Sequence, residues 1–321
     1  MTTRFDHILI IADIEGSSGC WDYRASKFMT NEWSRACVEM TLDVNVVVRG
    51  LFAAGVKQVT VKDFHRTGYN LLPEMIDPRA RVVLGYRQGP VPGLGNPGAA
   101  EAAMFLGMHA ASGTEGFMAH TLTSRIIWLE VNGKPLAEVE LFSASLAPYG
   151  IRPIFFSGCP TACAQAQAAI RRINSYPIDK SDGPALFDAH LWRSGLVNTA
   201  LESLNNLDTE PYVAAGPFRA EVTMWSGERS ARKLAQRWGF AQEGSRIFIE
   251  AEDIHELYTQ LIRLCYLTPL TEKMLPWGLS LYNLTGRLGL EWVRWRQRSV
   301  LRRLRSGSSE GHGVDGGYPR R

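Results

Sequence analysis

Apolar residues in the first half of the chain fall into short compact runs, each followed by a joint rich in acids, Gly or Pro. HILIIADIEG sets such a run ahead of two carboxylates and a glycine, the pattern of a buried strand running into a loop. From Asn31 to about Ala54 the period changes. Trp33, Cys37, Met40, Val44, Val48 and Leu51 recur every three or four positions, which predicts a helix that Gly55 stops. QVTVKDFH and ARVVLGY read as further strands, GPVPGLGNPGAA as a loop, and Ala102 to Met108 as a strand ending at His109. TSRIIWLEVNGKPLA predicts a hairpin that turns at Asn132-Gly133. Glu138 then opens a helix to about Tyr149, RPIFFSG is a strand, and an Ala- and Gln-rich helix starts at Pro160.

Beyond Asp182 the pattern gives a helix through Leu204, strand FRAEVTMW, helix SARKLAQRW, strand RIFIEA and helix DIHELYTQLIRLCYL. Strands alternating with helices predict an α/β class. The expected architecture is a mostly parallel sheet flanked by helices over residues 1–182, with a smaller α+β subdomain over 183–268. A basic helical extension over 269–305 and a disordered Gly/Ser-rich tail over 306–321 complete it.

Composition is that of a globular protein: 321 residues, 45% hydrophobic and 21% charged, which argues against a fibrous or disordered chain. No apolar run nears the ~18 residues of a membrane span. The short run ILIIA behind Asp6 and His7 lacks the core of a secretory leader, so a cytoplasmic protein is expected. Five scattered cysteines do not make a disulfide framework, and Cys159 and Cys163 read as small buried thiols at a helix start. The net charge of +3 is uneven: Pro269 to Arg321 holds 10 Lys and Arg against 4 Asp and Glu, so the rest is slightly acidic.

Chemistry-bearing side chains gather at strand ends. Asp13 and Glu15 close the first strand, Asp63 and His65 the second, and His109 the strand FLGM. His120 lies in the loop GFMAHT and Glu138 just past the hairpin. In open α/β sheets ligands bind outside the carboxyl ends of the strands. Carboxylates and imidazoles meeting there suit zinc or manganese and suggest a metal-dependent hydrolase. Taken singly, Asp13 and Glu15 are equally compatible with helix caps or a solvated loop. His7, His190, His255 and His312 carry no pattern and are left unassigned.

ADIEG, DFH followed by Asn70, FLGMHA, GFMAHT and NGKPLAEVEL resemble, in order and spacing, the successive motifs of the zinc-dependent D-aminopeptidases. The resemblance runs from about Phe5 to Leu267. It implies two zinc ions per subunit, a catalytic histidine, and a self-compartmentalising homodecamer of two stacked rings. Carried over by residue, Asp13 would bridge both metals, Glu15 and His109 would complete one zinc, and His65 and Glu138 the other. His120 matches the catalytic histidine. The implied substrates are short peptides or amino-acid amides with a free, D-configured N-terminal residue. A metal-dependent amidohydrolase acting on a non-peptide amide is the alternative, and a non-catalytic assembly or membrane-tethered protein retaining the fold is a third reading.

Several positions depart from that family. Lys62 and Phe64 flank Asp63 where smaller polar residues are usual, which would reshape the pocket or its charge. Gly158-Cys159-Pro160 replaces an acidic pair, Met118-Ala119-His120 replaces Met-Ser-His, and Asp182 to Trp192 shows little of the pattern. In the extension, a helix from Leu288 would put Leu290, Val293, Val300 and Leu304 on one side and Arg294, Arg298, Arg302 and Arg305 on another, with Trp292 and Trp295 off the stripe. Residues 276–305 would cover the protein's own surface or a neighbouring subunit, with a peripheral membrane contact as the competing role. No recognition motif accompanies the charge, so no specific nucleic-acid partner is expected.

Overall fold

The computed structural model describes residues 5–206 and 208–307. Along the chain run β1 (His7–Ala12), α1 (Tyr23–Ser26), α2 (Asn31–Ala53), β2 (Gln58–Asp63), β3 (Arg81–Val83), β4 (Ala102–Met108), β5 (Ile126–Val131) and β6 (Lys134–Pro135). Then come α3 (Glu138–Leu146), β7 (Arg152–Gly158), α4 (Pro160–Ala169), β8 (Asn174–Pro177), α5 (Ala189–Glu202) and β9 (Phe218–Met224). α6 (Gly227–Trp238), β10 (Ala241–Glu243), β11 (Arg246–Ala251) and α7 (Ile254–Tyr266) follow. The extension adds α8 (Pro269–Lys273), α9 (Leu275–Arg296) and α10 (Arg298–Gly307).

Six strands form a parallel sheet in the order β3-β2-β1-β4-β7-β8. The chain walks outward from β1 through β2 to β3, then returns beside β1 with β4 and walks the other way. That reversal opens a crevice at the carboxyl ends of β1 and β4, where such sheets bind ligands. β1 and β4 are buried almost throughout because helices cover both faces of the sheet. α2 follows the predicted stripe: its N-cap Thr30 accepts a hydrogen bond from Trp33 N, and Gly55 leaves the helix at φ 97°. The edge strand β8 escaped the sequence pattern because NSYP is polar and only half-buried.

The predicted hairpin forms, with Asn132 and Gly133 at φ 51° and 77°, the left-handed pair a tight turn requires. It joins an antiparallel sheet ordered β10-β11-β9-β5-β6, so this sheet draws strands from both sides of residue 182. Buried positions alternate along β9 and β11, as expected of a sheet with one covered face. One core cluster lies between the parallel sheet and α2, α5 and α9. The other joins the opposite face to α3, α4, the antiparallel sheet and α7.

The extension folds back on the body. Its main helix starts at Leu275 rather than Leu288, with Pro276 in the first turn, where a missing N–H costs nothing. Gly286, Gly289, Leu290 and Val293 are buried against the body, and Trp292 stacks on Trp33 at 6.1 Å. Arg294 is not merely solvated: its guanidinium donates twice to Glu74, at 2.9 Å each. Of the tail expected to be disordered, Ser306 and Gly307 end α10, and the remainder lies outside the described residues.

Candidate metal centre

Six of the seven residues singled out converge, Asp63 being the exception. Asp13 and Glu15 leave β1, His65 follows β2, His109 follows β4, Glu138 begins α3, and His120 comes from the loop after β4. Their approach needs backbone to touch backbone. Asp13 N donates to Leu106 O and Gly16 N to Gly107 O. A Cβ on Gly107 would sit 2.2 Å from Asp13 O, and one on Gly16 2.1 Å from Met108 O. Any side chain at either position would push the β1 loop off β4 and separate the ligands.

Two sets of donors share Asp13, Asp13 with Glu15 and His65 and Asp13 with His109 and Glu138, and a third joins Glu15 to His109 and His120. His109 Nε2 lies 3.5 Å from both Glu15 and Glu138, so it reaches either partner around Asp13. The cause is topological: β1 lies between β2 and β4, so Glu15 is delivered beside both His65 and His109. Donor separations are 3.6 Å for His65 Nε2 to Glu15 Oε1 and 3.6, 3.5 and 3.5 Å from His109 Nε2 to Asp13, Glu15 and Glu138. These are long for hydrogen bonds but close to the ~3.3 Å between two ligands of one tetrahedral zinc. Glu15 Oε2 and His109 Nε2 are buried without a hydrogen-bond partner. Buried polar atoms in that state are rare and costly, and a cation satisfies both. The donor set of three carboxylates and three imidazoles fits zinc.

The electrostatics follow from crowding. Burial and the neighbouring Glu15 push Asp13 up to about 6. Burial opposes the charge on His109, but Glu138, Glu15 and Asp13 outweigh it and raise the imidazole to about 9. Burial also acts against Glu15, yet His120 and His65 hold it below the usual carboxylate range. His120 moves the other way: burial and the charge on His109 lower it. The His109 and His120 rings stack at 3.9 Å, and His120 Nε2 lies 3.3 Å from Glu15 Oε2. Since carbonyls only accept, His120 Nδ1 donates to Met118 O at 2.8 Å, which leaves Nε2 as the open nitrogen facing the pocket. His109 Nδ1 is fixed likewise by Ala110 O.

Asp63 is not a donor to the pocket. Its carboxylate accepts from the N–H groups of Asn70 and Leu71 and from Asn70 Nδ2, pinning the turn that carries His65. Asn70 also donates to His65 O and accepts from Trp33 Nε1 at 2.8 Å. Lys62 does not charge the pocket either. It is fully buried on the other side of β2, donates to Gly85 O and sits over the Tyr86 ring. Phe64 packs edge-on against Phe142 and Tyr86. His7 and His255 bond to Thr60 and Ser145 and join no donor cluster, and His312 lies outside the described residues.

Two supports were invisible to pattern reading. Lys180 donates to Glu15 O and Cys20 O over the Phe117 ring, and burial depresses it to about 8. From the extension, Asn283 pairs with both the N–H and C=O of Tyr86, whose hydroxyl donates to Phe64 O beside His65. Neither has a local signal: Lys180 follows a polar strand, and Asn283 acts across 197 positions.

Comparison with known families matches residues 7–262 to peptidase M55, D-aminopeptidase. The D-aminopeptidase of Bacillus subtilis (strain 168) is 26% identical over 171 residues, 53% of this chain. The match spans 62% of that relative's length. A solved structure described as Zn-dependent D-aminopeptidase DppA from Bacillus subtilis, a self-compartmentalizing protease, superposes with a TM-score of 0.73. It has 20% identity and covers 80% of this chain and 96% of that one, which shows the shared α/β fold. Matched over four-fifths of its length, with α8 to α10 lying beyond the match, the chain belongs to the D-aminopeptidase family of peptidases, M55.

Proposed function

We propose that this chain is a two-zinc hydrolase that removes N-terminal amino acids, D-residues foremost, from short peptides or amino-acid amides. The observation that carries the reading is the pair of buried donor sets sharing Asp13, with Glu15 Oε2 and His109 Nε2 unpartnered. Asp13, Glu15 and His65 would hold one zinc, and Asp13, His109 and Glu138 the other. Bound zinc supplies Lewis-acid polarisation of the scissile carbonyl and a water whose pKa is drawn toward ~7.

The remaining work falls to the chain. Asp13, common to two of the donor sets, would bridge the pair, and its position would then set their spacing. Glu138 Oε1 accepts from Leu122 N at 2.7 Å, which ties the donor to the loop carrying His120. Burial lowers His120 from its ordinary value, which favours a free Nε2 that takes a proton and returns it to the leaving amine, or attacks directly. The active unit in this reading is a cytoplasmic homo-oligomer, a decamer in the pattern of the resemblance.

The test is metal analysis with hydrolysis of D-alanyl dipeptides and D-alanine amide beside their L forms. His120→Ala is expected to keep its zinc and lose ~100- to 10,000-fold in kcat. Protein that stays metal-free in excess zinc overturns the reading. A second substrate class is supported by the stretch from Tyr176 to Trp192. There Tyr176, Phe187 and Trp192 line a hollow, and Phe187 meets Trp21 edge-on next to Lys180. Preference for a bulky non-peptide amide over D-alanyl substrates selects that class instead.

A further inference from the structure

One face of α9 is spent on the protein's own body, through Gly286, Leu290 and Val293. The opposite face is apolar and open. Met274, Trp277, Leu281, Leu284, Leu288 and Trp295 are 48–79% exposed. They recur at intervals of three, four, three, four and seven residues, the 3.5-residue period of a seam that receives another helix. A helix lying on lipid shows a broader apolar arc with cations free on its polar side. Here Arg294 is engaged by Glu74, Arg296 by Asn31 and Arg287 by the Tyr69 hydroxyl.

We propose that two copies of this chain associate through this seam, their α9 helices antiparallel about a two-fold axis near Leu281 and Leu284. Charge selects the direction. Glu291, paired with Arg294 on its own helix and still 65% exposed at its side chain, takes the seam position left between Leu288 and Trp295, and Lys273 flanks the far end. Antiparallel pairing sets Glu291 of each copy beside Lys273 of the other, whereas parallel pairing would stack Glu291 on Glu291. The size is sufficient: a 22-residue helix spans ~33 Å. Two tryptophans and four aliphatic side chains cover on the order of 700 Å² per copy, near the ~800 Å² per partner of a standard interface. The contact is isologous, so two copies satisfy it, and within a two-ring assembly it closes where its two-fold axis coincides with one that relates the rings. It lies outside the part of the chain matched to the family, which ends at Ile262.

The test is cross-linking of the full chain at low micromolar concentration. The five native cysteines are buried and stay silent. Leu281→Cys combined with Leu284→Cys is expected to give a disulfide-linked dimer on a non-reducing gel. Leu288→Cys alone, whose counterpart across the axis is Trp277, is expected to give none. Adding Trp277→Glu and Leu288→Glu to the cysteine pair should slow cross-linking at least ten-fold while the melting temperature holds. A dimer from Leu288→Cys alone overturns the antiparallel arrangement. Failure of the pair to cross-link overturns the proposal, and flotation of the same protein on phosphatidylserine vesicles then assigns the seam to lipid.

Discussion

The pocket at the ends of β1 and β4 and the outer face of α9 are incomplete in opposite ways. In the pocket, charge is buried in excess: three carboxylates and three imidazoles meet where two polar atoms have no hydrogen-bond partner. On α9, apolar surface is exposed in excess, in a stripe broken only by Glu291 that its own body leaves uncovered. Water tolerates neither condition cheaply, and each calls for a different complement, a cation in one case and another apolar surface in the other. The two regions also touch. Asn283 and Trp292 reach from the inner face of α9 to Tyr86 and Trp33, and those residues brace the turn that carries His65. A helix beyond the family match therefore supports a ligand within it.

The sharpest break of this contrast is Asp13→Asn. The carboxylate common to two of the donor sets loses its charge, so in the proposed reading zinc content by mass spectrometry should fall below one ion per chain and amide hydrolysis at least 1,000-fold. Within α9, Leu290→Ala should destabilise by ~2–4 kcal/mol in denaturant unfolding, because it opens a cavity against the body. Leu288→Ala, two positions away and 62% exposed, should change stability by ~0.5 kcal/mol or less. Equal costs would mean that the two faces are not distinct. Asn70→Ala leaves every zinc donor in place but frees the His65 turn. Titration against a competing chelator should show ~10- to 100-fold weaker zinc binding.

The smallest effect is a pH dependence, read by melting temperature with and without zinc. In the metal-free chain Asp13 is raised to about 6 and His109 to about 9, both above their ordinary values. Raised groups contribute stability only while protonated: fully below ~3.8 for Asp13 and ~6.5 for His109, and lost as pH climbs through about 6 and about 9. Metal-free protein should thus melt earlier as pH rises from about 5 to 9. Zinc takes the deprotonated donors, so loaded protein should not follow that decline. Parallel curves for both forms would separate these groups from the metal site.

Much of the site was legible in the sequence because Asp13, Glu15, His65 and His109 stand at the ends of short apolar runs, where a parallel sheet delivers them to the same edge. The alternating class, α2 and the Asn132-Gly133 turn were equally readable, since their signals are local. Asp63 and Lys62 were not. Both sit by the same strand end as His65, yet one carboxylate is consumed by Asn70 and Leu71 and the ammonium by a distant carbonyl.

Leu288 and Leu290 mark the boundary most plainly. Local sequence assigns both to a helix, and hydrophobicity cannot rank one leucine above the other. Their fates, 62% and 3% exposed, are set by Gly286 and Gly289, where a Cβ would lie 2.3 Å from Tyr69 and from Phe28. Missing side chains on that face let α9 press onto the body and turn the other stripe outward. The six donors obey the same division. Periodicity put each at a strand end or loop, but their meeting around Asp13 depended on strand order, because β1 has to lie between β2 and β4 to set His65 and His109 on either side of it.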